Sequence, residues 1–199
     1  MRQRLAGILI GCVFGAVFVF VNAGAPMGPG LVVLARAAAV LALATAAVLA
    51  VLAARKAAGR APDAPGADSA DGRPAMFNRR YAAVVAAEVA LLFGGFPALR
   101  ALGAPVEANV AWIAVIVGLH FVALAAVWRE LSVLVPGAGL TVLGAAGFAL
   151  VGLSHTPLVP IVSGVLSGAV LLLSAARRPS GAVWDSADPQ WPRVALTGG

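Results

Sequence analysis

Three ionisable side chains stand inside long apolar runs of this sequence: Arg36, Glu88 and His120. Glu88 sits in AAVVAAEVALLFGGFPALR and His120 in AWIAVIVGLHFVALAAVW. Each group suits a different chemistry. A carboxylic acid held away from water is a candidate general acid, because low-dielectric surroundings tolerate its neutral form best. An imidazole can orient, hold or reload a proton near neutral pH. A guanidinium can anchor a phosphate or carboxylate. The sequence has no phosphate-binding Gly-rich loop, HExxH, CxxC, serine nucleophile elbow or Asp-rich metal-diphosphate motif. It has two histidines and one cysteine, Cys12, which falls inside an apolar run. Neither a disulfide framework nor a catalytic metal is expected, and no cofactor is called for.

The elements that must position these groups follow from composition. Of 199 residues, 61% are hydrophobic and only 11% charged, too little polar surface to cover a soluble core of that size. A bilayer is the natural solvent, and about 20 apolar residues cross it as a helix. The expected fold is all-α, a polytopic bundle with six spans near Leu5–Asn22, Leu31–Ala54, Tyr81–Gly103, Asn109–Trp128, Leu131–Leu153 and Leu158–Ala176. The first run is too long for a secretory signal and further spans follow at once, so it reads as a retained helix. Turn residues join the spans at 24–30, 103–105 and 154–157. The transmembrane domain covers residues 1–178. Within it, residues 55–80 are too rich in Pro, Gly and Asp to pack and read as a flexible loop; residues 179–199 read as a flexible tail. Pro97 and Pro136 each lie near a span end, where they bend or terminate a helix.

The charge of +6 has a similar explanation. In this layout twelve Lys and Arg residues (2, 4, 55, 56, 60, 73, 79, 80, 129, 177, 178 and 193) share one side, against Arg100 on the other. Cationic flanks are retained in the cytoplasm, so both termini are expected inside, with the protein multi-pass in the plasma membrane. A basic face of this kind favours anionic lipid headgroups. No basic patch is interleaved with stacking aromatics, so nucleic acid is excluded as a partner. Oligomeric state is not legible. Small residues at Gly11, Gly15, Gly137, Gly147, Gly164 and Gly168 suit close packing of helices within one chain.

Glu88 lies seven residues after Tyr81 and His120 eight before Trp128, depths of about 10 and 12 Å from one membrane face. Spans three and four are joined by a short turn, so a Glu88–His120 hydrogen bond is available if both face inward. Two readings stand: a structural contact that sets helix register, or a proton-transfer pair. Arg36 is five residues into its span, where it either snorkels or anchors an anion with Arg100. The aromatics Phe93, Phe96, Trp112, Phe121 and Trp128 gather on the two spans that carry the pair. Trp112 and Trp128 also fit an interfacial belt. Turned inward, these rings would form the wall of a substrate site and stabilise cations.

The segment Gly118-Leu119-His120-Phe121, with Leu124-Ala125 and Trp128-Arg129, resembles a pattern of small actinobacterial membrane proteins. In size and helical character the chain is also similar to the small membrane-integral terpene cyclases of bacterial indole-sesquiterpene (drimentine-type) pathways. That resemblance implies metal-independent cyclisation of a lipophilic polyprenyl substrate, begun by protonating an alkene or epoxide. Glu88 and His120 would then be catalytic, and Arg36, Phe93, Phe96, Trp112, Phe121 and Trp128 would bind substrate. The competing classes are a small proton-coupled transporter or channel, and a structural or accessory subunit.

Overall fold

The structure, a computed structural model, describes residues 2–58, 79–128 and 131–176. All its regular elements are helical: α1 (Arg2–Asn22), α2 (Pro29–Ala58), α3 (Arg79–Ala101), α4 (Ala108–Trp128), α5 (Leu131–Gly152) and α6 (Leu166–Ala176). A 3-10 turn, Thr156–Leu158, and a π-helical stretch, Pro160–Val165, lead into α6. Runs of Ala, Leu and Val with few polar interruptions leave the backbone no partners but its own, and a helix is the form that satisfies every peptide group locally. Pro29 begins α2 at the position where a missing N–H costs nothing.

Among the described residues, five segments are long and apolar enough to cross a membrane: Pro29–Leu52, Arg79–Ala101, Ala108–Val127, Ser132–Gly152 and Thr156–Ala175. Within α1 the apolar stretch is Leu9–Asn22. Leu31, Val33, Leu34 and Leu41 on α2, and Val89, Leu91 and Phe93 on α3, are exposed on the protein surface. In water such a surface would drive aggregation; in a bilayer it is the face that meets acyl chains.

Three expected boundaries shift. The polar loop expected at 55–80 is shorter at both ends: Arg55 and Lys56 fall in the last turns of α2, and Arg79 and Arg80 open α3. Ala-rich sequence carries the helix past the apolar run, because long basic side chains remain compatible with a helix at the membrane surface. Pro97 and Pro136 fall within the expected spans and lie inside α3 and α5 without ending either helix. The sixth span is not one regular helix: Pro160 lacks an N–H, and the chain passes through π geometry from Pro160 to Val165 before α6 begins. Residues 59–78, Arg129, Glu130 and the tail from 177 lie outside the described residues.

The core joins four helices. Phe18 of α1, Ala114 and Val117 of α4, Leu140 of α5 and Leu171 of α6 are buried together. Helices α4 and α5 run antiparallel at close range because small residues oppose one another. A Cβ on Gly118 would lie 2.8 Å from the Gly137 carbonyl, and one on Gly144 would lie 2.8 Å from that of Ala111. Gly15 and Gly168 do the same for α1 and α6, whereas Gly11 meets nothing within 4 Å. Of the expected packing glycines, Gly11 is therefore corrected to an open position.

Candidate functional site

Helix α3 presents one half-buried stripe, Tyr81, Val84, Val85, Glu88, Leu92, Gly95, Phe96 and Leu99, spaced by three or four residues. Its packing runs to α4. Glu88 is the carboxylate in the middle of that stripe, and across the seam His120 meets it. Nδ1 of His120 lies 2.9 Å from Oε2 of Glu88, with side chains 12% and 19% exposed respectively. The two atoms are close, but the alignment is not that of a hydrogen bond. Of the two carboxylate oxygens, Oε1 is the one outside this contact.

Two further features hold the seam closed. The indole Nε1 of Trp112 donates to the Leu91 carbonyl at 3.2 Å. The Trp112 ring lies across Gly95, so closely that a Cβ there would sit 2.0 Å from Nε1. Helix α3 approaches α4 here because Gly95 has no side chain, two helical turns from Glu88. Trp112, expected at the interfacial belt or in a substrate wall, is thus a clasp between two helices. Nothing in its spacing revealed this; the signal available was the Gly94-Gly95 pair opposite it.

The aromatic residues separate into groups. Phe121 packs against the buried core and lies edge-on to His120, ring centroids 5.7 Å apart. Phe96 is half-buried on the α3 stripe and makes an edge-to-face pair with Phe93 at 6.4 Å. Phe93 itself is 71% exposed. Five residues past Glu88 it lies about 140° round the helix, on the exposed side of α3. Trp128 closes α4, and its side chain lies outside the described residues.

Arg36 stands apart from the pair, on α2. Its Nη2 donates to the carbonyls of Ala23 at 2.9 Å and Phe20 at 3.3 Å, groups at the end of α1 that the helix itself leaves unpaired. The guanidinium lies 6.0 Å from the Phe20 ring centroid. Arg100, its expected partner for an anion, is at the far end of α3 and exposed.

Two polar side chains make contacts near the π-helical stretch: Ser163, whose place on the sixth span suits a helix-packing hydroxyl, and the half-buried Asn22. Ser163, 0% exposed, donates to the Leu143 carbonyl at 2.9 Å. Asn22 lies over Gly164, where a Cβ would meet its side chain, while donating to the Phe18 carbonyl at 2.8 Å.

The chain matches no protein-family model, no curated protein and no solved structure.

Proposed function

We propose that this is a membrane-integral enzyme in which Glu88, steadied by His120, protonates a lipophilic polyprenyl substrate and so begins its cyclisation. The observation that carries the reading is the 2.9 Å contact between an acid and an imidazole on two membrane-length helices. Ionisable groups at such depth are costly and are retained where they handle protons or ions. The partial exposure of Glu88 supports approach of a substrate from the lipid side. The substrate class rests on the resemblance of the α4 segment and of the whole chain's size and helical character.

The proposed reaction balances without a co-reactant. The neutral carboxyl gives its proton to one carbon of an alkene, or to an epoxide oxygen, and becomes carboxylate. The π electrons of the next double bond close a ring onto the resulting carbocation. Loss of a proton from an adjacent carbon ends the sequence and restores the acid, with His120 positioned at Oε2 to receive or return it. The product is an isomer of the substrate. In the accompanying topology the chain spans the membrane six times with both ends on the cytoplasmic side of the plasma membrane, the arrangement that the twelve-to-one distribution of Lys and Arg favours.

A second reading draws on the neighbouring clasp. With Trp112 bonded to Leu91, the Glu88–His120 contact would be a further fixed point that sets the register of α3 on α4. One experiment separates the two. Membranes holding the full chain are incubated with linear farnesyl and geranylgeranyl compounds, indole-linked ones included, and products of unchanged mass are sought by mass spectrometry. Conversion by the wild type and not by Glu88→Gln, with unchanged thermal stability, is the expected result. Equal conversion by both proteins would overturn the assignment of the acid. No conversion, together with a marked loss of stability in Glu88→Gln, would establish the register contact instead.

A further inference from the structure

We infer that the cleft between α1 and α2 is a binding site for one phospholipid with an anionic headgroup, its phosphate on Arg36 and one acyl chain in the groove below. The groove has a volume of about 370 Å³ and is lined by Val13, Ala16, Val17 and Phe20 from α1 and by Val40, Leu43, Ala44 and Ala47 from α2. No polar side chain is among them. On α1 the lining residues step by three, one and three; on α2 by three, one and three again, the spacing of one face of each helix.

Arg36 belongs to the same line. It lies four residues before Val40, so it tops the α2 stripe of the groove at the end where the α1–α2 turn closes. Phe20 links the two parts: it lines the groove, and its ring lies under the Arg36 guanidinium. The bonds from Nη2 to Phe20 and Ala23 hold that guanidinium over the mouth. A guanidinium has five N–H donors, and both bonds come from one nitrogen, so Nη1 and Nε retain donors for a phosphate. From Arg36 to Ala47 the helix descends about 16 Å, a length that suits an acyl chain hanging from a headgroup at the membrane surface.

The charge selects the occupant. A zwitterionic lipid carries its own cation beside the phosphate and gains less from Arg36 than one with net negative charge. A wholly apolar molecule would leave the guanidinium unused. A second copy of the chain would need a side chain to enter the groove and an acidic group to meet Arg36. This site is separate from the Glu88–His120 pair, and its failure or success leaves the proposed reaction where it stands.

The test uses the full chain purified in a mild detergent, stripped of lipid, and re-supplied with phosphatidylglycerol, phosphatidylcholine, glycerol 3-phosphate or inorganic phosphate. Native mass spectrometry reads what stays bound. One phosphatidylglycerol should be retained at roughly tenfold lower concentration than phosphatidylcholine. Ala44→Phe, which fills the groove, should lose that adduct at unchanged helicity. Arg36→Gln should keep a lipid adduct but bind the two lipids alike. Should Ala44→Phe be poorly folded, Ala47→Phe repeats the test one turn deeper. Equal retention by wild type and both groove-filling variants would overturn the proposal. So would competition by inorganic phosphate or glycerol 3-phosphate as strong as that of the lipid, which would mark a plain anion site, or a dimer signal that disappears with Ala44→Phe in place of a lipid adduct.

Discussion

Replacing Gly95 by alanine tests what positions the Glu88–His120 pair. The new Cβ would stand 2.0 Å from Nε1 and 2.2 Å from Cε2 of Trp112, where an ordinary contact needs 3.4 Å or more. Either α3 retreats by more than an ångström or the indole swings away and abandons its bond to the Leu91 carbonyl. Overpacking of this sort costs about 1–3 kcal/mol, and a lost hydrogen bond about 0.5–1.5 kcal/mol, so Gly95→Ala should destabilise the protein by roughly 2–4 kcal/mol. The adjacent residue is the control. A Cβ on Gly94 meets nothing within 4 Å, and alanine is the better helix former by about 0.5–1 kcal/mol. Gly94→Ala should therefore be neutral or mildly stabilising. Reversible unfolding in mixed micelles, followed by circular dichroism, supplies both values. A cycle with Trp112→Ala sharpens the test, because removal of the ring removes the obstruction. In that background Gly95→Ala should add no further cost. If Gly95→Ala were as mild as Gly94→Ala, or if its cost persisted without the indole, the close approach of α3 to α4 would not be what the Trp112–Gly95 contact sets.

The α4–α5 seam offers a parallel comparison. A Cβ on Gly118 would lie 2.4 Å from Thr141 Oγ1 and 2.5 Å from its backbone nitrogen, while Gly11 has open space; Gly118→Ala should cost about 1–3 kcal/mol and Gly11→Ala nothing, as measured by thermal unfolding in detergent. Ser163→Ala removes the bond to the Leu143 carbonyl and should cost about 0.5–1.5 kcal/mol in the same assay. Retention of wild-type stability there would mean that the hydroxyl is dispensable to the junction of α5 with the π-helical stretch.

Much of the fold was legible because the membrane simplifies the rules. An apolar run of some 20 residues can cross only as a helix, and Gly-Pro punctuation marks where it must stop. Helix ends were less legible at the basic flanks. Arg55, Lys56, Arg79 and Arg80 look like loop by charge, yet the backbone at those positions is helical, since a long cationic side chain can leave the bilayer without its backbone leaving the helix. The π-helical stretch was not legible either. Its cause combines a proline at position 160 with packing of Gly164 against Asn22, and the second half of that combination exists only once α1 and the sixth span are side by side.

The pair itself was legible by depth, and its orientation was not. Counting residues from one membrane face puts Glu88 and His120 at the same level, and a short turn makes their helices neighbours. Neither count says which way a helix is rotated. The rotation of α3 is set by its half-buried stripe, and in an apolar helix that stripe has no polar complement to reveal it: Ala86, Ala87, Val89 and Ala90 are exposed and as hydrophobic as the residues that pack. Of the adjacent pair Gly94 and Gly95, only Gly95 admits the Trp112 ring, and nothing in the sequence says which of the two faces α4. This explains why the side of α3 on which Phe93 lies could not be read from the sequence. An acid announces its need for a partner through the cost of leaving it alone among lipids, whereas a phenylalanine is equally at home against a neighbouring helix or an acyl chain.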